Sequence, residues 1–313
     1  MFKTNRFLSI IIKILVSVFA VVFLFSHFDK QSFSFESIFK LTAWQRLILI
    51  IFTLINWILE IAKWQFLASK VQKIDFNKAA KQSLISFSLS LLTPNRVGEL
   101  GVKTLFFDKK NAKKIFSLSL IGTTTQMISS LIMGATGLIF TFIYLPEVIY
   151  HLQNKFALHF SSLQLSILGI SFVLMLLIIV IYVKKKNTQL LISDVRVWGK
   201  SLAFALARYV VFATQFMLVY HFIRPESNFF IIYLAVSITY FIATLIPMLS
   251  FMDWAVKGSV ALLVFGALQL DSSIATISVA LMWILNFMLP FVIGIYLLWR
   301  WRLESVIPTK KRR

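Results

Sequence analysis

The stretch "LSLLTPNRVGELGVKTLFF", residues 89–107, decides how the chain is read. It is apolar at both ends and broken by Thr93-Pro94. It then carries Arg96, Glu99 and Lys103 within a few turns. Charges in such a setting are costly unless they do something, so their surroundings must be established first.

Those surroundings are lipid. Of 313 residues, 59% are hydrophobic, and the mean hydropathy is +0.84. That leaves too little polar material to clothe a soluble domain. Apolar runs of roughly 20 residues recur, each long enough to cross a hydrocarbon core of about 30 Å as a helix. The runs are continuous rather than alternating, which excludes a closed barrel. The fold class expected is an all-α polytopic membrane protein of about eight helical elements, one of them a re-entrant hairpin.

The net charge of +20 would suggest nucleic acid in a soluble protein. Here Lys and Arg gather in short loops, the signature of topology and of anionic lipid headgroups, and no nucleic-acid partner is expected. The chain has no cysteine, which removes disulfides, thiol catalysis and thiolate-bound metal. The four histidines, His27, His151, His159 and His221, form no ligand pattern. No phosphate-binding loop, dinucleotide fingerprint or nucleophile elbow is present, so no cofactor is expected.

Spans are expected near 7–28, 44–67, 116–144, 162–183, 199–222 and 277–299. The first resembles a signal peptide, but its apolar stretch is too long and lacks a small-residue cleavage site. It reads as an uncleaved span. Two further apolar regions, 83–107 and 229–270, are broken by Pro94 and Pro247. The segments 69–81, 108–115, 184–200 and the tail 300–313 are basic, whereas 145–161 and 223–228 are not. The positive-inside rule therefore puts the basic loops and both termini in the cytoplasm.

This orientation constrains 83–107. Both of its flanks are basic and so lie on one side. Two arms of roughly 12 residues reach only about 18 Å each, little more than half the bilayer. A re-entrant hairpin with Thr93-Pro94 at its tip is the simplest solution. The region 229–270 begins and ends on the outer side, as two full helices or as a deeper hairpin.

The two breaks echo each other. Pro94 precedes Glu99, with Lys103 four residues later; Pro247 precedes Asp253, with Lys257 four residues later. Interrupted segments in corresponding places of two halves are the pattern of inverted-repeat transporters, whose site lies where the breaks meet.

At the first break, Thr93 suits an N-cap and Pro94 the first helical position. The helix start then offers free amides to an anion inside the membrane. Arg96, Glu99 and Lys103 share one helix face. Arg96 can grip phosphate through its planar fork. Gly98 and Gly101 let a helix or ligand come close. At the second break, Ser250 and Asp253 fit a capping box, and Lys257 can pair with Asp253 one turn on. The alternative reading makes all these charges a satisfied cluster, or snorkelling anchors.

Arg208 lies deep in its span and reads equally as an anchor or a phosphate ligand. Glu60 and Lys63 read as an i,i+3 pair near the inner interface. The run 122–137, rich in small and hydroxylated residues, reads as a helix-packing face.

"LLTPNRVGELGVKTLFF" resembles the proline–glycine–acid motif of the lysylphosphatidylglycerol synthetase transmembrane (flippase-like) family, with Pro94, Gly98 and Glu99 at its positions. "IPMLSFMDWAVKGSV" is similar to that family's second motif at Pro247 and Asp253, with Met252 where a glycine is common. Trp64 also suits the family's second span. The resemblance implies a single flippase-like domain over 1–313 that moves lipids or lipid-linked headgroups between leaflets. The charges at and near the two breaks make Arg96, Glu99, Lys103, Arg208, Asp253 and Lys257 the candidate site residues, of which the resemblance itself covers Glu99 and Asp253. The partners expected are anionic or aminoacylated headgroups. The resemblance also implies a stand-alone member, since the tail after residue 300 leaves no room for an aminoacyl-transferase domain.

Three functions follow as expectations: a lipid translocator in the cytoplasmic membrane, with no enzymatic activity; a non-catalytic partner of a glycosyl- or aminoacyl-transferase; or a membrane-embedded lipid-modifying transferase with Glu99 or Asp253 as base. Whether it forms a homo-oligomer stays open.

Overall fold

The computed structural model describes residues 36–90, 93, 97–147, 194–246 and 250–306, together with Val18 and Val22. All of the expected span 7–28 except Val18 and Val22, the span 162–183, the part of the basic loop 184–200 before residue 194, and Pro94, Arg96 and Pro247 lie outside the described residues. Among those described, the architecture is wholly helical.

After a single turn at Glu36–Phe39, the helices are α1 (Ala43–Ala68), α2 (Phe76–Ser90), α3 (Val97–Thr104), α4 (Ala112–Tyr144), α5 (Val195–Ile223), α6 (Phe229–Leu245) and α7 (Asp253–Ala267). They are followed by α8 (Ser272–Trp283), a π-turn (Ile284–Met288) and α9 (Leu289–Val306). Five stretches among the described residues are long and apolar enough to cross a membrane: Ala43–Ala68, Lys109–Tyr144, Val195–Ile223, Ser250–Ala267 and Ser272–Arg300. The chain is a multi-pass helical membrane protein.

The helix starts follow their side chains. Thr42 and Gln45 close a reciprocal capping box ahead of α1, with Thr42 N donating to Gln45 Oε1 at 2.8 Å. Asp194, Asn228 and Asp271 cap α5, α6 and α8. The turn from α7 to α8 passes through Gln269 at φ 58°.

The region 83–107 folds as two short helices joined at Thr93. With 15 and 8 residues, α2 and α3 reach about 22 and about 12 Å. Neither can cross a bilayer of about 30 Å, and the two pack against each other. The first arm starts at Phe76 rather than residue 83, and Lys78 and Lys81 lie exposed on its early turns. Thr93 joins the arms. Its hydroxyl donates to the Ser90 carbonyl at 2.6 Å and accepts from the Gly98 amide at 2.9 Å. It thus serves α3 from five residues upstream of Gly98, and α3 is described from Val97.

Region 229–270 consists of α6 and α7, which pack on each other with a short 3-10 turn, Ser250–Met252, before α7. The expected capping box is absent. Met252 is the cap residue and makes no side-chain cap bond. Ser250 instead donates to the backbone oxygen of Thr93 at 2.9 Å.

Glycine sets the closest helix contacts. A Cβ on Gly137 would sit 2.7 Å from Ser237 Cβ, and one on Gly134 would collide with Phe241, so α4 and α6 touch along this line. A Cβ on Gly294 would strike the Leu84 carbonyl, which lets α9 lie on α2. Ser88 on α2 also donates to the Phe291 carbonyl of α9 at 2.9 Å. One apolar core runs through Phe216, Tyr220, Tyr240 and Phe265; a second surrounds Trp64, Leu67, Ile115 and Leu118.

Candidate functional site

The two breaks meet. The Ser250–Thr93 bond ties the start of the second helical restart to the tip of the first, across 157 positions of sequence. Two cavities open among these helices, one lined by residues of each break. The smaller, about 100 Å³, is lined by Glu60, Lys63, Trp64, Glu99 and Lys103. The larger, about 390 Å³, is lined by Tyr240, Asp253, Trp254, Lys257 and Trp283. Arg208, Gln126 and Thr123 line both.

Each break carries its ion pair as the spacing predicts. Lys103 Nζ lies 2.8 Å from Glu99 Oε1, and Lys257 Nζ lies 2.6 Å from Asp253 Oδ2. Each lysine also sits over an aromatic ring, Lys103 over Trp64 at 4.4 Å and Lys257 over Tyr240 at 5.2 Å. The acid, the lysine and the ring recur at both breaks.

The centre of the site is a residue that the sequence reading put at its edge. Glu60 Oε2 accepts from Arg208 Nη1 at 2.6 Å and lies 2.8 Å from Lys63 Nζ. The pair Glu60–Lys63 forms as expected, but inside the bundle, where Lys63 is 4% exposed. Arg208 does not snorkel as an anchor. Its side chain turns inward, with Nε on Asn56 Oδ1 at 2.9 Å and Nη1 near Gln126 Oε1 at 3.4 Å. One carboxylate thus serves two cations. Around both cavities, four cations (Lys63, Lys103, Arg208 and Lys257) face three carboxylates (Glu60, Glu99 and Asp253) among the described residues. The surplus positive charge sits where the cavities adjoin.

Of the six candidate ligands, five (Glu99, Lys103, Arg208, Asp253 and Lys257) line these cavities; Arg96 lies outside the described residues. Gly98 is tightly enclosed, since a Cβ there would be 2.6 Å from Thr93 Cγ2. Nothing among the described residues comes within 4 Å of a Cβ placed on Gly101. The run 122–137 does double duty. Gly134 and Gly137 pack against α6, and Thr125 bonds Ser201 at 2.9 Å. Thr123, Gln126 and Ser130 face the cavities.

Sequence reasoning missed the amides. Asn56, Gln126, Gln215 and Asn286 each sit within an apolar span and bond across helices. Their signal was present, because an amide in mid-span needs a partner on a neighbouring helix. Set against known proteins, the chain matches no family model and no curated protein.

Proposed function

We propose that this protein is a lipid translocator that passes an anionic headgroup between leaflets of the cytoplasmic membrane, both termini facing the cytoplasm, while the acyl chains stay in lipid. The headgroup would enter one cavity, meet the surplus cation at Arg208, and leave by the other. Lys63 and Arg208 share Glu60, so a phosphate oxygen reaching Arg208 relieves a charge imbalance rather than creating one. Glu99 and Asp253, each bound to its own lysine, hold Lys103 and Lys257 as secondary stations along the path.

The observation that carries this reading is the pair of cavities with a common wall of Arg208, Gln126 and Thr123, each cavity flanked by one of the two breaks. The resemblance of residues 91–107 to the flippase-like family points the same way, and Arg96 adds a further cation beside the first break. The test is leaflet exchange of fluorescent phosphatidylglycerol in proteoliposomes, read by a membrane-impermeant quencher. The protein should accelerate exchange well above empty liposomes. Arg208→Ala should slow it at least tenfold, and Lys40→Ala, an exposed ion-pair residue, should not. Exchange no faster than in empty liposomes would overturn the proposal.

A second reading draws on the same contacts. Every carboxylate of the site is bonded to a cation, as befits a purely structural cluster in a partner subunit of a membrane transferase. Co-purification of a transferase from native membranes, with lipid exchange absent, would favour it.

A further inference from the structure

The wall between the two cavities has a polar half and an aromatic half, and one short segment supplies both. In the polar half, Arg208 is held by Glu60, Gln126 and Asn56. Asn56 is in turn held by Asn286, its Nδ2 donating to Asn286 Oδ1 at 2.6 Å. Asn286 Nδ2 donates to Gln215 Oε1 at 3.0 Å, and Gln215 Nε2 to Thr53 Oγ1 at 2.8 Å. In the aromatic half, a row of edge and stacked contacts runs Trp57–Phe87–Phe287–Trp283, with centroids 5.1, 5.2 and 5.2 Å apart. Trp57 and Phe87 line the smaller cavity; Phe287 and Trp283 line the larger.

Asn286 and Phe287 both belong to the π-turn Ile284–Met288, where the Leu289 amide donates to the Ile284 carbonyl. The cause is Pro290. Proline has no amide for the carbonyl four residues back, and its ring collides with that carbonyl, here Asn286. Widening the turn by one residue removes the collision. It also rotates the residues by about 100° relative to a regular helix, at 3.6 residues per turn. Such turns are uncommon and recur at functional sites.

We propose that this π-turn is the latch of the wall, with Asn286 as the positioning residue that holds Arg208 across the boundary through Asn56. The inference rests on the translocation reading for what the wall is for, and on the contacts above for what holds it. While Asn286 accepts from Asn56, the Asn56 oxygen is aimed at Arg208 Nε and the guanidinium stays between the cavities. Without that acceptor, Asn56 swings free, Arg208 keeps only Glu60 and Gln126, and the two cavities join.

The chain has no cysteine, so single-cysteine reporters are clean. Ser119→Cys reports the smaller cavity and Ser130→Cys the larger, both on α4. The full chain in liposomes is treated with a charged, membrane-impermeant thiol reagent from either face. With native Asn286, Ser130→Cys should react from one face only, and Ser119→Cys, at a position 3% exposed, should be protected from both. Asn286→Leu, of similar volume, should raise the rate from a closed face at least tenfold for both reporters. Asn286→Asp keeps the oxygen that accepts from Asn56 and should retain the native pattern. Should the Leu variant not fold, Asn286→Ser, too short to reach Asn56, reads the same bond. A native pattern in folded Asn286→Leu or Asn286→Ser, or equal opening by Asn286→Asp, would overturn the latch. Lipid movement is not measured here, so a failure of translocation and a failure of the latch remain distinguishable.

Discussion

The two breaks hold the same chemical set in different surroundings. At the first, Lys103 and Glu99 are 6% and 16% exposed and face a cavity of about 100 Å³. At the second, Lys257 and Asp253 are 25% and 19% exposed and face about 390 Å³. The local pair is a property of helix geometry, since residues four apart share a face. How much the pair matters is a property of what other helices bring to it. At the first break they bring Glu60, Lys63 and Arg208; at the second they bring Arg208 again, with amides and aromatic rings but, among the described residues, no further charge. The narrow side is where charge is dense and the wide side is where it is sparse.

Glu60 separates the two sides most sharply, because it belongs to the narrow one and serves two cations. Glu60→Gln leaves Lys63 and Arg208 with one neutral oxygen between them. Removing one partner of a buried ion pair costs about 3–5 kcal/mol. Unfolding by sodium dodecyl sulfate titration in mixed micelles should register a loss of that size. A loss below about 1 kcal/mol would mean that the cluster is solvated and that the narrow cavity is not narrow in the membrane.

The pairs themselves come next. Glu99→Gln should cost about 2 kcal/mol and Asp253→Asn about 1 kcal/mol. Both lie between the exposed-pair range of roughly 0–1 and the buried range of about 3–5 kcal/mol, ordered by burial. The order is the test. If thermal unfolding followed by tryptophan fluorescence ranks them the other way, the wide side is the more desolvated one and the comparison inverts.

The bond between the breaks is weaker still. Ser250→Ala removes the donor to the Thr93 carbonyl and should cost about 1 kcal/mol, the ordinary net worth of a single hydrogen bond. Ser250→Thr keeps the hydroxyl and should lose less than half of that. Equal losses in the two variants, or none in Ser250→Ala, would show that the breaks sit side by side without supporting each other.

Much of this arrangement can be read from residue order. The helical class, four of the expected spans and the turn at Thr93 follow from apolar run length and loop charge. The i,i+4 pairs follow from spacing alone. What resisted reading depends on three dimensions. Glu60 and Arg208 are separated by 148 positions, and no local pattern says that α1 and α5 lie side by side. The start of α2 was hidden by Lys78 and Lys81, which hydropathy counts as loop. The failed capping box at Ser250 shows a local rule overruled by a distant partner, the Thr93 carbonyl. Pro290 is different. It stood in plain view inside an apolar span, and its missing amide already implied a disturbed turn at Asn286.

The smallest effect concerns the residue two places after each acid. At the second break it is Ala255, fully buried; at the first it is Gly101, exposed. Gly101→Ala writes the second break's residue into the first. Glycine within a helix is less favourable than alanine by roughly 0.5–1 kcal/mol, and a Cβ at Gly101 meets nothing within 4 Å. The variant should therefore be neutral or more stable by up to about 1 kcal/mol in denaturant titration. A clear destabilisation in a bilayer, but not in detergent, would mean that something in the membrane lies against that face of α3. The first break would then be as covered as the second, and the contrast between a dense narrow side and an open wide one would have to be redrawn around what covers it.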